Sequence, residues 1–163
     1  MSRSHELPLA SCKRILLEGA PKAVSRMGAG ATVEARNQLE MLLKDLAKHC
    51  HDMLQLTKRN TVNVDILKNV VGASLACKGI NTADLSHQVR KGAGERGLPV
   101  AAVVRLFKKA LGNKSRVTEE AQLALVGACE AYLKNLGHKA AALADAGKRR
   151  TIQPKDVSVA ARM

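Results

Sequence analysis

Residues 118–157 read "TEEAQLALVGACEAYLKNLGHKAAALADAGKRRTIQPKDV", and this stretch has the clearest structural pattern of the chain. Thr118 is a good helix N-cap, and Glu119 and Glu120 follow where carboxylates meet the positive end of the helix. One long amphipathic helix ending near Asp145 is therefore predicted, followed by a basic loop and a short helix that begins at Pro154. The apolar stripe of the long helix consists of Leu123, Val126, Leu133, Leu136, Ala140 and Leu143.

The chain also contains an internal repeat. The segments "LPLASCKRILLEG" (residues 7–19) and "LPVAAVVRLFKKALG" (residues 98–112) both begin with Leu-Pro and carry an arginine seven residues later, Arg14 and Arg105. The phrase "TKRNTVNVD" (residues 57–65) repeats "GKRRTIQPKD" (residues 147–156) at nearly the same offset. In the first copy we expect Thr32 to cap the long helix. Its apolar stripe is Leu39, Leu42, Leu43, Leu46, Cys50, Met53 and Leu54.

These patterns predict an all-α protein with two tandem units, residues 1–72 and 98–163, joined by a linker over residues 73–97. Each unit has a short, a long and a short helix. The long helix has more apolar face than two short helices can cover, so each unit needs a partner. The other unit is tethered nearby at high effective concentration. We therefore expect two crossed units that share one core.

The composition favours a polyanionic partner. The 163 residues include 27 Lys and Arg against 14 Asp and Glu, which gives a net charge of +13. Nucleic acid is the first candidate and an anionic membrane surface the second. The only aromatic residues are Phe107 and Tyr132, so single-strand binding by base stacking is disfavoured. No apolar run reaches the roughly 18 residues of a membrane span, and we expect an intracellular protein with reduced thiols.

No residue pattern indicates catalysis or a metal site. In "KHCH" (residues 48–51) adjacent side chains point in different directions around a helix, and no second cluster has zinc spacing. The sequence offers no combined nucleophile, oriented base and oxyanion donor. We expect no enzyme activity, no cofactor and no metal. The four cysteines, Cys12, Cys50, Cys77 and Cys129, are expected to be buried as small apolar residues.

The second copy resembles eukaryotic histone H-three over residues 96–163, most specifically in "EAYL" (residues 130–133) and "KRRTIQPKDV" (residues 148–157). The first copy resembles histone H-four or an archaeal histone in "CKRILLEGAPKAVS" (residues 12–25) and "KRNTVNVDI" (residues 58–66). Together they resemble the fused histone doublets of some large DNA viruses and archaea. The resemblance implies a handshake pair, in which the first loop of one fold lies beside the last loop of the other.

A basic loop that ends in threonine can bind phosphate through its N–H groups, its hydroxyl and its cations. An aspartate in the next helix can orient a loop arginine, which predicts that Asp65 orients Arg59 and Asp156 orients Arg149. The resemblance implies three contacts along duplex DNA, with Arg116 in a minor groove. The predicted contact residues are Lys13, Arg14, Lys22, Arg26, Lys58, Arg59, Thr61, Arg96, Arg105, Arg116, Lys148, Arg149, Arg150 and Thr151.

The sequence departs from the family in two places. Ala23 stands where the H-four pattern has a groove-inserting arginine, and the glycine-rich "RMGAGAT" (residues 26–32) predicts a lengthened loop. Arg26 is the candidate substitute for that arginine. Self-association through Leu143, Asp156 and Val159 is implied, but Ala146 replaces a histidine that bonds the partner's aspartate. We therefore expect a pseudo-dimeric monomer or a weakly self-associating species in solution, and paired or multiple copies on DNA. Other histones are further candidate partners.

Two functional classes remain open. The resemblance implies an architectural protein that packages duplex DNA without sequence specificity into nucleosome-like particles. It would be found with the genome: in a virion and the host nucleus or viral factory if viral, in a nucleoid if archaeal. The alternative is a histone-fold dimerisation module of a transcription-factor complex. Basic residues in both repeated loops favour the first class, since a scaffold needs no charge there.

Overall fold

The protein consists of two consecutive helix sets with the same short, long and short order. We describe a computed structural model, which covers residues 7–82, 85, 98–112 and 114–163. The first set comprises α1 (Leu9–Gly19), α2 (Ala29–Thr57) and α3 (Val64–Ala73), followed by a 3-10 turn at Leu75–Cys77. The second set comprises α4 (Val100–Leu111), α5 (Glu119–Ala146) and α6 (Pro154–Ala160). The predicted all-α class is confirmed.

Four strands of two residues each join the loops of the two sets. They are β1 (Arg26–Met27), β2 (Thr61–Val62), β3 (Arg116–Val117) and β4 (Thr151–Ile152). Strand β1 pairs with β4 and β2 pairs with β3, both in parallel. Each ladder therefore connects the first loop of one set to the last loop of the other.

The two sets exchange their first helices. Helix α1 packs against α5, helix α4 packs against α2, and α6 contacts both long helices. The result is one hydrophobic core with residues from both sets, including the fully buried Leu43, Phe107 and Leu133. The expected shared core of two crossed units is therefore present.

The start of α5 agrees with the sequence prediction, whereas the start of α2 does not. Thr118 accepts a hydrogen bond from the Ala121 N–H at 3.1 Å, which confirms it as the N-cap of α5. Helix α2 begins at Ala29 after Gly28, so the expectation that Thr32 caps it is wrong. The Gly28 N–H donates to Ile152 O at 3.0 Å, and this ladder contact leads the chain directly into the helix. Thr32 instead lies buried in the first turn.

The predicted linker is described only in part. Asn135 Nδ2 donates to Lys78 O at 3.1 Å, which ties the segment after α3 to the surface of α5. At its far end, the Leu98 N–H donates to Glu130 Oε2 at 2.9 Å. Burial raises the pKa of Glu130. Most of residues 83–97, including the predicted DNA contact Arg96, lie outside the described residues.

Two glycines allow α1 and α5 to cross at backbone contact. A Cβ on Gly19 would overlap the carbonyl oxygen of Lys134, and a Cβ on Gly137 would overlap that of Leu16. Because both obstacles are backbone atoms, no side-chain rotation could make room. The close approach of α1 and α5 therefore requires glycine, which has no Cβ, at positions 19 and 137.

We expect Gly137→Ala to destabilise the protein, although alanine favours a helix over glycine by up to about 1 kcal/mol. Overpacking a tight contact costs typically about 1–3 kcal/mol. Urea unfolding followed by circular dichroism measures the change. Gly72→Ala in α3 is the matched control, because its nearest neighbour would be at an ordinary 3.8 Å. The control should be neutral or stabilising. Equal changes at both positions would contradict this account of the crossing.

Candidate nucleic-acid interface

The two ladders each bring a basic strand beside a threonine. In one ladder Arg26 is in register with Thr151, and in the other Arg116 is in register with Thr61. The Arg26 N–H donates to Arg150 O at 3.3 Å, and the Arg116 N–H donates to Asn60 O at 2.8 Å. Arg26 and Arg116 are exposed. Each end of the molecule thus carries an arginine and a hydroxyl on a fixed backbone.

A shift of 90 residues converts one ladder into the other, since Arg26 corresponds to Arg116 and Thr61 to Thr151. Arg26 therefore occupies in the first set the position that Arg116 occupies in the second. Ala23 lies three residues before this position, and Arg26, the predicted substitute for the missing arginine, holds the ladder position. The first loop spans residues 20–28 and is two residues longer than the loop of residues 112–118 in the second set, although Ala29 and Gly30 already belong to α2.

A lysine with left-handed backbone follows each long helix within two residues of its end. Lys58 has φ 55° and Lys148 has φ 58°, and they are the non-glycine residues with positive φ in the described chain. The next N–H closes the helix end: Arg59 donates to Leu54 O and Arg149 to Ala144 O, both at 2.9 Å. Glycine is the usual residue at such a helix end. A lysine here costs about 1–2 kcal/mol in backbone strain, so its side chain calls for an explanation outside the fold.

Arg149 is held in one orientation by a carboxylate. Its Nη1 donates to Asp156 Oδ2 at 2.7 Å and its Nη2 to Asp156 Oδ1 at 2.9 Å. The same Oδ2 accepts the Gln153 N–H at 2.9 Å. Arg149, through this hydrogen bond, is the main cause that lowers the pKa of the buried Asp156 carboxyl. The loop is thereby fixed to the start of α6.

Arg59 has no matching clamp within the described chain. Asn63 caps α3 by accepting the Ile66 N–H at 2.9 Å, so Asp65 lies one position earlier in its helix than Asp156 does in α6. Asp65 is exposed, and neither a hydrogen bond nor an ion pair joins it to Arg59 in the described structure. The shorter spacing of the first phrase explains why the predicted pair is not formed. Asp65 therefore does not prevent Arg59 from turning toward a ligand.

The remaining predicted contact residues of the described chain also carry exposed charge. Lys13 and Arg14 lie on the exposed face of α1, and Arg105 lies on the exposed face of α4. Lys22 is exposed in the loop between α1 and β1, and Arg150 is exposed directly before β4.

The sequence analysis omitted Lys114, which is exposed two residues before Arg116. Its place in a loop that leads to a basic strand was the signal that could have identified it. Lys114 adds a further cation to the end of the molecule that carries Arg116 and Thr61.

The residues predicted for self-association differ in accessibility. Leu143 and Val159 are partly exposed on α5 and α6. Asp156 is only 5% exposed, and both of its oxygens are engaged by Arg149 and Gln153. Asp156 therefore serves its own loop, and its carboxylate is not presented to another copy.

All four cysteines are buried, as predicted, and burial raises the pKa of Cys12 to about 11 and of Cys50 to about 12. In "KHCH", His49 bonds the Asp45 carbonyl through Nδ1 at 2.7 Å. Over the described residues, no group of His, Cys, Asp and Glu has the geometry of a metal site.

Within the described part of the chain, no helix combines the length and apolar character needed to span a membrane.

Comparison with known proteins relates this geometry to a fold. Residues 84–163 match the family model that describes the core histone domain. The chain is also similar to the crystal structure of the histone from Methanopyrus kandleri, with a TM-score of 0.67 and 23% sequence identity. That match covers 95% of this chain and 93% of the other, so it extends over both helix sets. The fold is therefore the histone fold.

The clamp predicts a pH-dependent contribution to stability. Because the pKa of Asp156 lies below its ordinary value of 3.8, the contribution is present above that pH and is lost as pH falls through the folded-state pKa. We expect Asp156→Asn to lower the free energy of unfolding at pH 7 by about 1–3 kcal/mol, since hydrogen bonds to a charged group are broken. Urea unfolding at pH 7 and at several steps below pH 3.8 measures both quantities.

Asp65→Asn is the matched control, because Asp65 holds the corresponding place in the first phrase but is exposed. It should leave stability unchanged at pH 7. A loss for Asp156→Asn that persisted undiminished in acid would show that the carboxylate charge is not what stabilises the loop.

Proposed function

We propose that this histone-fold chain is an architectural protein that binds, bends and compacts double-stranded DNA largely without sequence specificity. The observation that carries the proposal is the pair of ladders, which fix Arg26 beside Thr151 and Arg116 beside Thr61. Backbone N–H groups, hydroxyls and cations on a rigid frame are suited to phosphate contacts and to an arginine inserted in a minor groove. The net charge of +13 supplies the long-range attraction.

The left-handed lysines support the same function. Strained backbone at a position that glycine would fill more easily is expected where the side chain has a task. Lys58 and Lys148 stand at equivalent helix ends, each directly before the arginine of its loop. We infer that both lysines are phosphate contacts, and that Arg59 adds a direct contact while Arg149 mainly positions its loop.

Duplex DNA is the better substrate than single strands. Phe107 is fully buried and Tyr132 is 7% exposed, so neither offers a surface on which bases could stack. Two ladder sites and a middle site on α1 and α4, which would include Lys13, Arg14 and Arg105, would each meet the duplex about one helical turn apart. One chain would then cover on the order of 30 base pairs.

In this proposal the chain is a histone doublet, with an H-four-like or archaeal-like first set and an H-three-like second set. Each copy contributes a complete handshake pair, and copies associate on DNA through the face of α5 and α6 that carries Leu143 and Val159. The assemblies would be nucleosome-like particles, located with the genome in a virion, a viral factory, a nucleus or a nucleoid. The function is structural, and no reaction is proposed.

Binding to a duplex of about 30 base pairs should weaken steeply with salt, with log K falling by about 0.9 per neutralised phosphate against log salt. The double variant Lys58→Gly with Lys148→Gly should bind more weakly and reduce the slope by about 2. Its stability to urea should be unchanged or higher, because glycine adopts the left-handed conformation without strain. Fluorescence anisotropy at several salt concentrations measures the affinity.

Lys44→Gly with Lys134→Gly is unsuitable as a control, because glycine would weaken the interiors of α2 and α5. Lys44→Ala with Lys134→Ala removes an equal number of positive charges from exposed helix positions and should change the slope less. Tight binding that ignored salt would contradict the proposal, and an absence of duplex binding would favour the alternative of a dimerisation module. A loss of stability in the glycine variant would show that the lysines serve the fold.

A further inference from the structure

A groove that lies outside the candidate DNA interface runs along the middle of α2. Its larger hollow, about 280 Å³ in volume, lies between Met41 and Asp45 of α2, Tyr132 of α5 and Ala161 at the end of α6. An adjoining smaller hollow shares Tyr132 and Ala161 and is also lined by Leu75. We call the two hollows together the Tyr132 groove. Among the residues that the structure describes, its lining includes none from α1, α4 or the ladder strands.

The rims of the groove carry large apolar side chains that the fold leaves in solvent. Met41 is 61% exposed on α2, Leu75 is 89% exposed in the 3-10 turn, and Met163 is 60% exposed after α6. Methionine is flexible and adapts to the shape of a bound partner. Apolar side chains gathered around a hollow are typical of a contact surface.

Tyr132 has a hydroxyl group without a partner in the described chain. The residue is only 7% exposed, yet no hydrogen bond joins its hydroxyl to any described residue. Buried tyrosines usually pair this group. Burial raises the pKa of Tyr132 to about 12, so the hydroxyl is a neutral donor at pH 7. Because Tyr132 lines both hollows, its accessible surface opens onto the groove and offers this donor to a ligand.

The charged groups of the lining indicate the charge of the ligand. In the smaller hollow Lys139 is engaged, since its Nζ donates to Met163 O at 3.3 Å. Asp45 is the charged residue in the described lining of the larger hollow, and its side chain is half exposed. Its nearest basic group is His49 Nδ1 at 3.7 Å, which already bonds the Asp45 carbonyl at 2.7 Å. The larger hollow therefore favours a ligand with a positive charge.

The other long helix shows how the corresponding face is covered. The 90-residue shift that relates the ladders places Asp45 of α2 at the position of Asn135 of α5. On α5 this position is bonded to the chain itself, because Asn135 Nδ2 donates to Lys78 O directly after the 3-10 turn. The turn packs against α5, and Cys77 is buried there. On α2 the corresponding face is open and forms one wall of the groove.

The covered face of α5 indicates the form of the ligand. A short turn segment covers that face, so a peptide segment of similar size suits the face of α2. Asn135 donates to its segment, whereas the carboxylate of Asp45 can only accept a hydrogen bond. The segment on α2 must therefore supply an N–H group or a cation at Asp45.

We propose that the Tyr132 groove binds a short, non-helical segment of a partner protein. An apolar side chain of the segment fills the larger hollow, a lysine or arginine pairs with Asp45, and a backbone carbonyl accepts the Tyr132 hydroxyl. This role goes beyond the proposed function, because it uses a surface separate from the DNA contacts. The net charge of +13 repels a basic segment at long range, so recognition depends on these local contacts.

Selection from a library of short random peptides displayed on phage, with the free chain as target, tests the proposal. Enriched peptides should combine a large apolar residue with a lysine or arginine, and their affinities are then measured by fluorescence anisotropy. Asp45→Lys should weaken binding by about tenfold or more, because an attractive charge pair becomes repulsive. Asp52→Lys is the matched control, since it makes the same charge change at an exposed position of α2 outside this groove. It should leave the affinity nearly unchanged.

Tyr132→Phe isolates the hydroxyl group. It should weaken peptide binding by about 2- to 10-fold, which is the effect of one hydrogen bond. Its stability to urea should equal that of the unaltered chain, because the hydroxyl has no partner in the described fold. A loss of stability with no loss of affinity would show that the hydroxyl serves the fold and would overturn its role in the groove.

Three other results would overturn the proposal. One is a selection that enriches no peptide, and another is a set of peptides that bind the Asp45→Lys and Asp52→Lys variants equally well. The third is self-association of the free chain that Met41→Glu abolishes in sedimentation, because the occupant would then be a second copy. None of these measurements includes DNA, so their failure leaves the proposed function intact, and a failure of duplex binding leaves the groove intact.

Discussion

Each long helix carries an apolar face that its own short helices cannot cover, and the rest of the structure depends on this constraint. The face of α2 is covered by α4, and that of α5 by α1. Because the covering helix comes from the other set, neither set has a complete core alone. The crossing of α1 and α5 is close enough to require glycine at positions 19 and 137.

This exchange also creates the candidate DNA surface. When the sets cross, the first loop of each arrives beside the last loop of the other, and parallel ladders of two residues hold them there. The ladders align Arg26 with Thr151 and Arg116 with Thr61, so each end of the surface contains residues from both sets. Burial of apolar area thus positions polar groups that are far apart in the sequence.

Much of this organisation is predictable because the repeat and the helical periodicity are strong signals. The cap at Thr118 and the clamp of Arg149 by Asp156 follow from local spacing, which tertiary contacts leave intact. The start of α2 is not predictable from propensity. Glycine-rich sequence suggests a loop, but the hydrogen bond from Gly28 to Ile152 starts the helix early. The same contact places Arg26 in the ladder beside Thr151, which the resemblance implied. The two loops also differ in the position of the aspartate that follows them. Asp156 is the third residue of α6 and bonds its arginine, whereas Asp65 is the second residue of α3 and does not.

In the proposed function, Arg26 and Arg116 are equivalent anchors at the two ends of a bent duplex. Energy transfer between dyes at the ends of a duplex of about 30 base pairs measures this bending directly. Arg26→Ala and Arg116→Ala should each reduce bending by a similar amount at saturating protein. Lys134→Ala, which removes a surface ion pair with Glu18 at 3.6 Å, should leave bending unchanged. Equal effects of all three substitutions, or no bending by the unaltered protein, would contradict the account.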